Sequence, residues 1–277
     1  MESSPDSLPQ ALGLIAGEGR FPFLVLGEAR RLGIRIVTLA IEGAAEPSLE
    51  KCGSDSLHWL RLGDLSKCVR ILKEEGIDKA MMAGRVRHVR VFDIVRPDRL
   101  MLKVLGRLRS RTTNAMLSTL ADVLAEEGVE LLESTRLLQT HLATEGVMTR
   151  RAPRKGELED IRFGLSMARG LAELDIGQTV VVKGKAVVAA EAMEGTDRTI
   201  RRARDVVEPP FVVVKVARPS QDMRFDVPVV GPTTIESMVA SGAEVLGLEA
   251  GKVLLLDRDE VVQRAEESGI SICGERL

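Results

Sequence analysis

The sequence predicts two α/β domains joined by a linker, the first with a parallel sheet and the second a mixed α/β unit. Three observations carry this. Short apolar runs alternate with stretches of helical spacing through the first half of the 277 residues, the rhythm of β-α-β units whose helices cover a parallel sheet. Between Ser134 and Gly156 the pattern loosens, and TEGVMTRRAPRKGE has the glycine, proline and basic content of an exposed connection. Beyond it, two β-branched runs meet at Gly184 as a hairpin, which puts antiparallel pairing into the second half.

Leu12 to Ala16 is an apolar strand, followed by a glycine turn and by PFLVLGEARRL, a helix that ends near Gly33. IRIVTLA is the next strand. Leu65 to Glu75 has helical spacing and stops at Gly76, after which DKAMMAG is a third buried strand. Asn114 to Glu127 is a helix closed by Gly128 and followed by the strand VELLES. In the second half, Glu157 to Leu174 is helical, and QTVVVKG and KAVVAAEA form the hairpin. A helix from Thr196 to Val207, the strand FVVVKVA, a helix from Thr233 to Ala240, the strand KVLLLD and a last helix complete it. The boundaries are therefore 1–136 for an N-terminal Rossmann-like domain, 137–156 for the linker and 157–277 for the C-terminal α/β domain.

Composition narrows the chemistry. The 44% apolar and 29% charged residues describe an ordinary globular chain, and the longest uncharged stretch, Ser7 to Gly17, is far below the ~18 residues of a bilayer-spanning helix. The N-terminus carries acids where a secretory signal would carry bases, so a cytoplasmic location is expected. Cys52, Cys68 and Cys273 are odd in number and far apart, which argues against a disulfide framework or a CxxC site. His58, His88 and His141 are too scattered for a histidine-rich metal centre. Carboxylates, lysines, arginines and hydroxyls are left, with magnesium as the natural helper. Six Phe, Trp59 and no Tyr make base-stacking platforms scarce, and no nucleic-acid partner is expected. The net charge of −2 hides a basic stretch from Arg85 to Arg111, where nine basic residues stand against Asp93 and Asp98. Interleaved Leu100, Met101, Leu102, Val104, Leu105 and Leu108 would let it lie on an anionic bilayer as an amphipathic helix; a solvated face is the plain alternative.

Three segments are candidate sites. In GLIAGEGRFP, Gly17 and Gly19 follow a strand and precede a helix, where backbone N–H groups approach a phosphate, although Pro22 stands where GxGxxG needs its third glycine. Glu42, after the second strand, is placed to hold a ribose. In EAMEGTD, the acids Glu191, Glu194 and Asp197 surround Gly195 and Thr196 at a helix start, and Arg198, Arg201, Arg202 and Arg204 follow. Acids for a cation beside bases for phosphates suit a pyrophosphate–magnesium substrate; a capping loop is the alternative. In KVARPSQDMRFDVPVVGPTTIE, an extended QDMRFDV would put Asp222, Arg224 and Asp226 on one face, flanked by Lys215, Arg218 and Gln221.

These segments, with the AGRV turn at Ala83 to Val86, LDIGQTVVVK and LEAGKVLLLD, resemble in order the UDP-2,3-diacylglucosamine pyrophosphatase family of lipid A biosynthesis, the LpxI type. The resemblance runs from about Leu12 to Cys273, and EGTD and QDxRFDxPxxG at this separation are specific to it. It implies a lipid substrate held between two domains. It further implies magnesium-dependent hydrolysis of UDP-2,3-diacylglucosamine to UMP and 2,3-diacylglucosamine 1-phosphate (lipid X), with the catalytic aspartate of RFDxP at Asp226. Two positions depart from the pattern. Thr112 to Leu117 stand where an Asp-Asp-x-Leu-Leu-like stretch is common, and Arg85 stands where lysine is common.

On this basis Asp226, Asp222, Arg224 and Lys215 are expected to be catalytic, with Asp226, Asp222 and Asp197 holding magnesium. Gly17, Gly19, Arg85, Gly195, Thr196, Asp197, Arg201 and Gln221 are expected to bind substrate. The expected partners are the lipid substrate and the inner-membrane surface, touched peripherally; a homo-oligomer is left open. An NAD(P)-dependent oxidoreductase on the Gly17-x-Gly19 turn and a non-catalytic nucleotide-sugar-binding protein are the other function classes.

Overall fold

The structure, a computed structural model, describes residues 8–86, 96–108, 112–219 and 221–277. It divides into two compact units: the chain as far as Leu137 together with Met223–Phe225, and Leu138–Asp222 together with Asp226–Leu277.

In the first unit five strands form one sheet: β1 (Ala11–Ala16), β2 (Arg35–Ile41), β3 (Ser56–Leu60), β4 (Lys79–Ala83) and β5 (Glu130–Leu131). Their order is β3-β2-β1-β4-β5 and every pairing is parallel. Parallel neighbours need crossovers, which the helices α1 (Phe21–Arg31), α2 (Leu65–Glu74), α3 (Arg99–Arg107) and α4 (Thr113–Glu126) supply. The expected strands β1, β2 and β4 are buried apolar runs; β3, absent from the sequence reading, is a half-buried edge strand whose SLHWL lacks a continuous apolar signal. The expected strand VELLES pairs only over Glu130–Leu131. Thr112, in the departure noted above, caps α4 by accepting a hydrogen bond from the Ala115 N–H at 3.3 Å.

Helix α3 is the helical part of the described basic stretch. Met101 and Val104 are buried, and Leu100, Leu105 and Leu108 pack against the same core, which leaves Leu102, 56% exposed, as its outward apolar side chain. Its apolar face is thus consumed by the fold instead of being offered to a bilayer. Lys103 and Arg107 pair with Glu126 of α4 at 2.7 and 2.6 Å. Arg87, Arg90, Arg109 and Arg111 lie outside the described residues.

The second unit is built on a six-stranded mixed sheet, order β6-β13-β11-β9-β7-β8. Its strands are β6 (Gly146–Val147), β7 (Thr179–Lys183), β8 (Ala186–Ala190), β9 (Phe211–Lys215), β11 (Ala243–Glu249) and β13 (Ser271–Glu275); β10 (Val229–Val230) and β12 (Leu254–Leu255) form a separate parallel pair. The helices are α5 (Lys155–Glu173), α6 (Thr196–Ala203), α7 (Pro232–Ser241) and α8 (Arg258–Glu267). The β7–β8 hairpin turns at Gly184, as expected, where φ is +58°. Helix α5 crosses one face of the sheet so closely that a Cβ on Gly164 would sit 2.6 Å from Val214, and one on Gly247 would sit 2.8 Å from Ile161.

The segment 137–156 departs from the expected linker. Leu138 and Leu142 are buried, Ala143 joins the core of the second unit, and β6 pairs antiparallel with β13. These apolar side chains repay burial, so the exposed-looking Gly/Pro/Arg composition wraps the second unit as part of it. Arg151 is held there by Glu157 at 2.6 Å.

Candidate active site

The charged core of the second unit forms where three elements end together. Antiparallel pairing of β7 with β9 sets Thr179 opposite Lys215, and both are buried. Lys215, 6% exposed, donates from Nζ to Thr196 Oγ1 at 2.6 Å and to Thr179 Oγ1 at 3.4 Å. Thr196 opens α6 after Gly195, whose φ of +84° suits a residue without Cβ, and donates its own proton to Glu191 Oε1 at 2.9 Å. Burial drives the Lys215 ammonium well below the ordinary lysine range, and the negative charges of Glu191, Asp197 and Asp226 oppose that shift. A buried cation is tolerable because hydroxyl acceptors and three carboxylates surround it.

Of the three acids in EAMEGTD, the structure brings Glu191 and Asp197 to this lysine and sends Glu194 elsewhere. Glu194 takes a hydrogen bond from its own backbone N–H, binds Arg202 at 2.8 Å and accepts from the Ala192 N–H at 3.2 Å, and these bonds lower its pKa. Arg198 and Arg201 are exposed along α6.

QDMRFDV is a turn, not an extended strand. The Asp226 N–H donates to the Asp222 carbonyl at 3.1 Å, and residues 223–225 form the turn between them. The predicted Asp-Arg-Asp face therefore does not exist: Asp222 and Asp226 belong to the second unit and Arg224 to the first. Ser134 Oγ donates to the Arg224 carbonyl at 2.6 Å, and the Ser134 N–H donates to the Met223 carbonyl at 2.8 Å, closing the turn with hydrogen bonds that alternation cannot reveal. The Arg224 guanidinium lies 5.2 Å from the Phe225 ring centre. Asp226 Oδ2 accepts from Arg218 Nη1 at 2.7 Å, and Arg218 also reaches Asp175 at 3.0 Å. Gln221, expected to bind substrate, is instead bonded to the protein: its Oε1 accepts from the Arg218 N–H and its Nε2 donates to the Asp226 carbonyl.

The glycine turn of the first unit also differs from its expected use. The Gly17 and Glu18 N–H groups donate to the Ala83 and Arg85 carbonyls, both at 2.8 Å, so these two donors are closed to a phosphate. A Cβ on Gly17 would stand 2.7 Å from the Arg85 carbonyl oxygen, and that close approach explains the glycine. Gly19, at φ +98°, has open space around it. Beside this turn lies an apolar cavity of about 110 Å³, lined among others by Ile15, Met82, Met101, Met116, Leu117 and Leu120. At the switch between β1 and β4, where such sheets hold their ligands, the lining suits hydrocarbon.

Among the described residues no three His, Cys, Asp or Glu side chains gather as a metal cage. Magnesium needs less, taking one or two carboxylates and completing its shell with phosphates and water. Asp197 Oδ1 is buried without a hydrogen-bond partner, and such an orphaned oxygen fits a cation ligand. Asp226 already faces the Arg218 cation.

Comparison with known proteins decides the family. The description "LpxI N-terminal domain" matches residues 11–141, and "LpxI C-terminal domain" matches residues 144–273. The chain belongs to the LpxI family. The "UDP-2,3-diacylglucosamine pyrophosphatase LpxI" of Caulobacter vibrioides is 31% identical over 275 residues, covering 95% of this chain and 96% of that protein. Two solved structures are similar at lower identity. Phosphoribosylglycinamide synthetase from Anaerococcus prevotii is 12% identical, with a TM-score of 0.26 over 73% of this chain and 44% of its own. Leucoanthocyanidin reductase from Vitis vinifera is 14% identical, with a TM-score of 0.30 over 96% of this chain and 78% of its own.

Sequence reasoning passed over Thr179, Gln178 and Gly177 as site residues. Their signal is positional: they stand at the start of the β-branched run of β7, and only the register across to β9 sets Thr179 against Lys215. Gly177 approaches Glu191 so closely that a Cβ would lie 2.1 Å from its carbonyl oxygen. Gly177→Ala is expected to destabilise the fold by about 1–3 kcal/mol through overpacking, read as a lower urea midpoint at unchanged slope.

Proposed function

We propose that this chain hydrolyses the pyrophosphate bond of UDP-2,3-diacylglucosamine, releasing UMP and 2,3-diacylglucosamine 1-phosphate in lipid A biosynthesis. The observation that carries the reading is the buried Lys215 with Glu191, Asp197, Asp226 and Arg218 around it, in a chain matched end to end by a relative of that name. Positive groups beside carboxylates are what pyrophosphate hydrolysis requires: charge to offset the anionic oxygens, and a base to orient and deprotonate water.

In this mechanism Asp226 accepts the proton of the attacking water. Arg218 holds Asp226 Oδ2, so the other carboxylate oxygen is the one aimed at water. Lys215 acts at close range through Thr196 and through its field, which low polarity around the buried ammonium strengthens. Arg201 offsets phosphate charge, and Asp222 closes the turn that presents Asp226. Asp197 and Asp226 would hold magnesium, which when bound supplies further positive charge beside the pyrophosphate. The apolar cavity of the first unit takes an acyl chain. Because a diacylated substrate partitions into bilayers, the protein works peripherally at the inner membrane; no described helix is long and apolar enough to cross one.

Incubating the purified protein with UDP-2,3-diacylglucosamine and magnesium should release UMP. Binding of the nucleotide lipid without UMP would favour a non-catalytic role instead. Leu117→Trp, which fills the cavity, is expected to raise KM about tenfold, the effect of excluding roughly two methylenes, while leaving UMP affinity unchanged.

A further inference from the structure

Gln178 lies immediately before β7 and is fixed by its own backbone. Its N–H donates to Glu191 Oε2 at 3.3 Å, and its carbonyl accepts from the Val216 N–H at 3.0 Å. Its side-chain Nε2 donates to Gln221 Oε1 at 2.7 Å. That same Oε1 accepts from the Arg218 N–H at 2.8 Å, while Gln221 Nε2 donates to the Asp226 carbonyl at 2.5 Å. The amide of Gln221 has one orientation that satisfies all three bonds: oxygen toward two N–H donors, nitrogen toward a carbonyl. Reversing it would set oxygen against the Asp226 carbonyl oxygen and nitrogen against two donors.

The two glutamines therefore link the start of a strand to a turn outside the sheet. Gln178 is held by the sheet, whereas Asp226 follows a turn outside any strand. Arg218, whose backbone N–H enters the same link, also grips the Asp226 carboxylate. We propose that Gln178 is a positioning residue: acting through Gln221, it fixes the turn that carries Asp226 and aligns that carboxylate with the Lys215 cluster, and neither glutamine binds substrate. The inference deepens the hydrolase reading and rests on it for its kinetic consequence, but the mechanical link stands on the hydrogen bonds alone.

The test uses the full chain with Gln178→Leu, Gln221→Met and the double variant. Each single variant should lower kcat about 10- to 100-fold, the effect of misplacing a reacting group by an ångström or less, with KM within about twofold of the parent. The double variant should be no worse than the more impaired single one, because both break one link. Residue-resolved amide exchange should show faster exchange at Arg218 and Asp226, with Val181 and Val182 in β7 unchanged. If Gln178→Leu fails to fold, Gln221→Met severs the same link from the turn side. A raised KM at unchanged kcat would assign the glutamines to substrate binding and overturn the proposal, as would additive losses or unaltered exchange at Asp226. Absence of UMP release from the parent protein would sink the hydrolase reading; the exchange measurement alone would then decide whether Gln178 holds the turn.

Discussion

Replacing Asp226 by alanine is expected to lower UMP release by about 10²- to 10⁴-fold, the range for removing a positioned proton acceptor, while the chain stays folded and still binds UMP. The structure explains why the fold should survive. Gln221 holds Asp226 through its carbonyl, and the Asp226 N–H bonds to the Asp222 carbonyl, so both backbone contacts outlast the side chain. Arg218 is not stranded, because Asp175 remains 3.0 Å away. Steady-state UMP release read beside a circular-dichroism melt separates the two effects. Turnover near the parent value would remove Asp226 from the mechanism, and a collapsed melting transition would show that its carboxylate is structural.

Lys215→Met should be as damaging to turnover, by about 10²- to 10³-fold, since a preorganised charge in a water-poor site is worth more than one in solvent. Its second consequence is a change in how stability varies with pH. Burial lowers the Lys215 pKa from its ordinary 10.5, so in the window between the lowered value and 10.5 the unfolded chain binds more protons than the native one. Stability contributed by this group therefore rises with pH across that window, and below it the cost of burying the ammonium is fully present. Methionine removes the titration, so denaturant midpoints measured as the pH is raised toward 10.5 should lose this rising component. Turnover of the parent should decline across the same window as the ammonium deprotonates. An unchanged pH profile of stability in the variant would show that Lys215 is not the titrating group.

Much of the fold was legible from the chain. Continuous apolar runs such as IRIVTLA and FVVVKVA fit only buried strands, and alternation of such runs with glycine-stopped helices gave the parallel sheet of the first unit. Other elements lacked a local signal. β11 reads as AEVLGLE, with glutamates at the second and last positions and Gly247 where Ile161 presses on the backbone, so its identity depends on α5 lying against it. KVLLLD misled in the opposite sense: Val253, Leu254 and Leu255 are buried, yet only Leu254 and Leu255 pair, with the short β10. The segment 137–156 looked exposed by composition and was buried by a few leucines.

For the site, the chemical types were readable in the chain: acids, arginines and a lysine in EAMEGTD, Lys215 and QDMRFDV, with the poverty of histidine and cysteine pointing to hard ligands. Which of them meet was decided by tertiary structure. Antiparallel register placed Thr179 against Lys215, the turn at 222–226 broke the alternating Asp-Arg-Asp face, and Gln178 and Gln221 tied that turn to β7. Alternation predicts side-chain direction only while the backbone stays extended, and the hydrogen bonds that bend it here come from residues up to ninety positions away, beyond the reach of any local pattern.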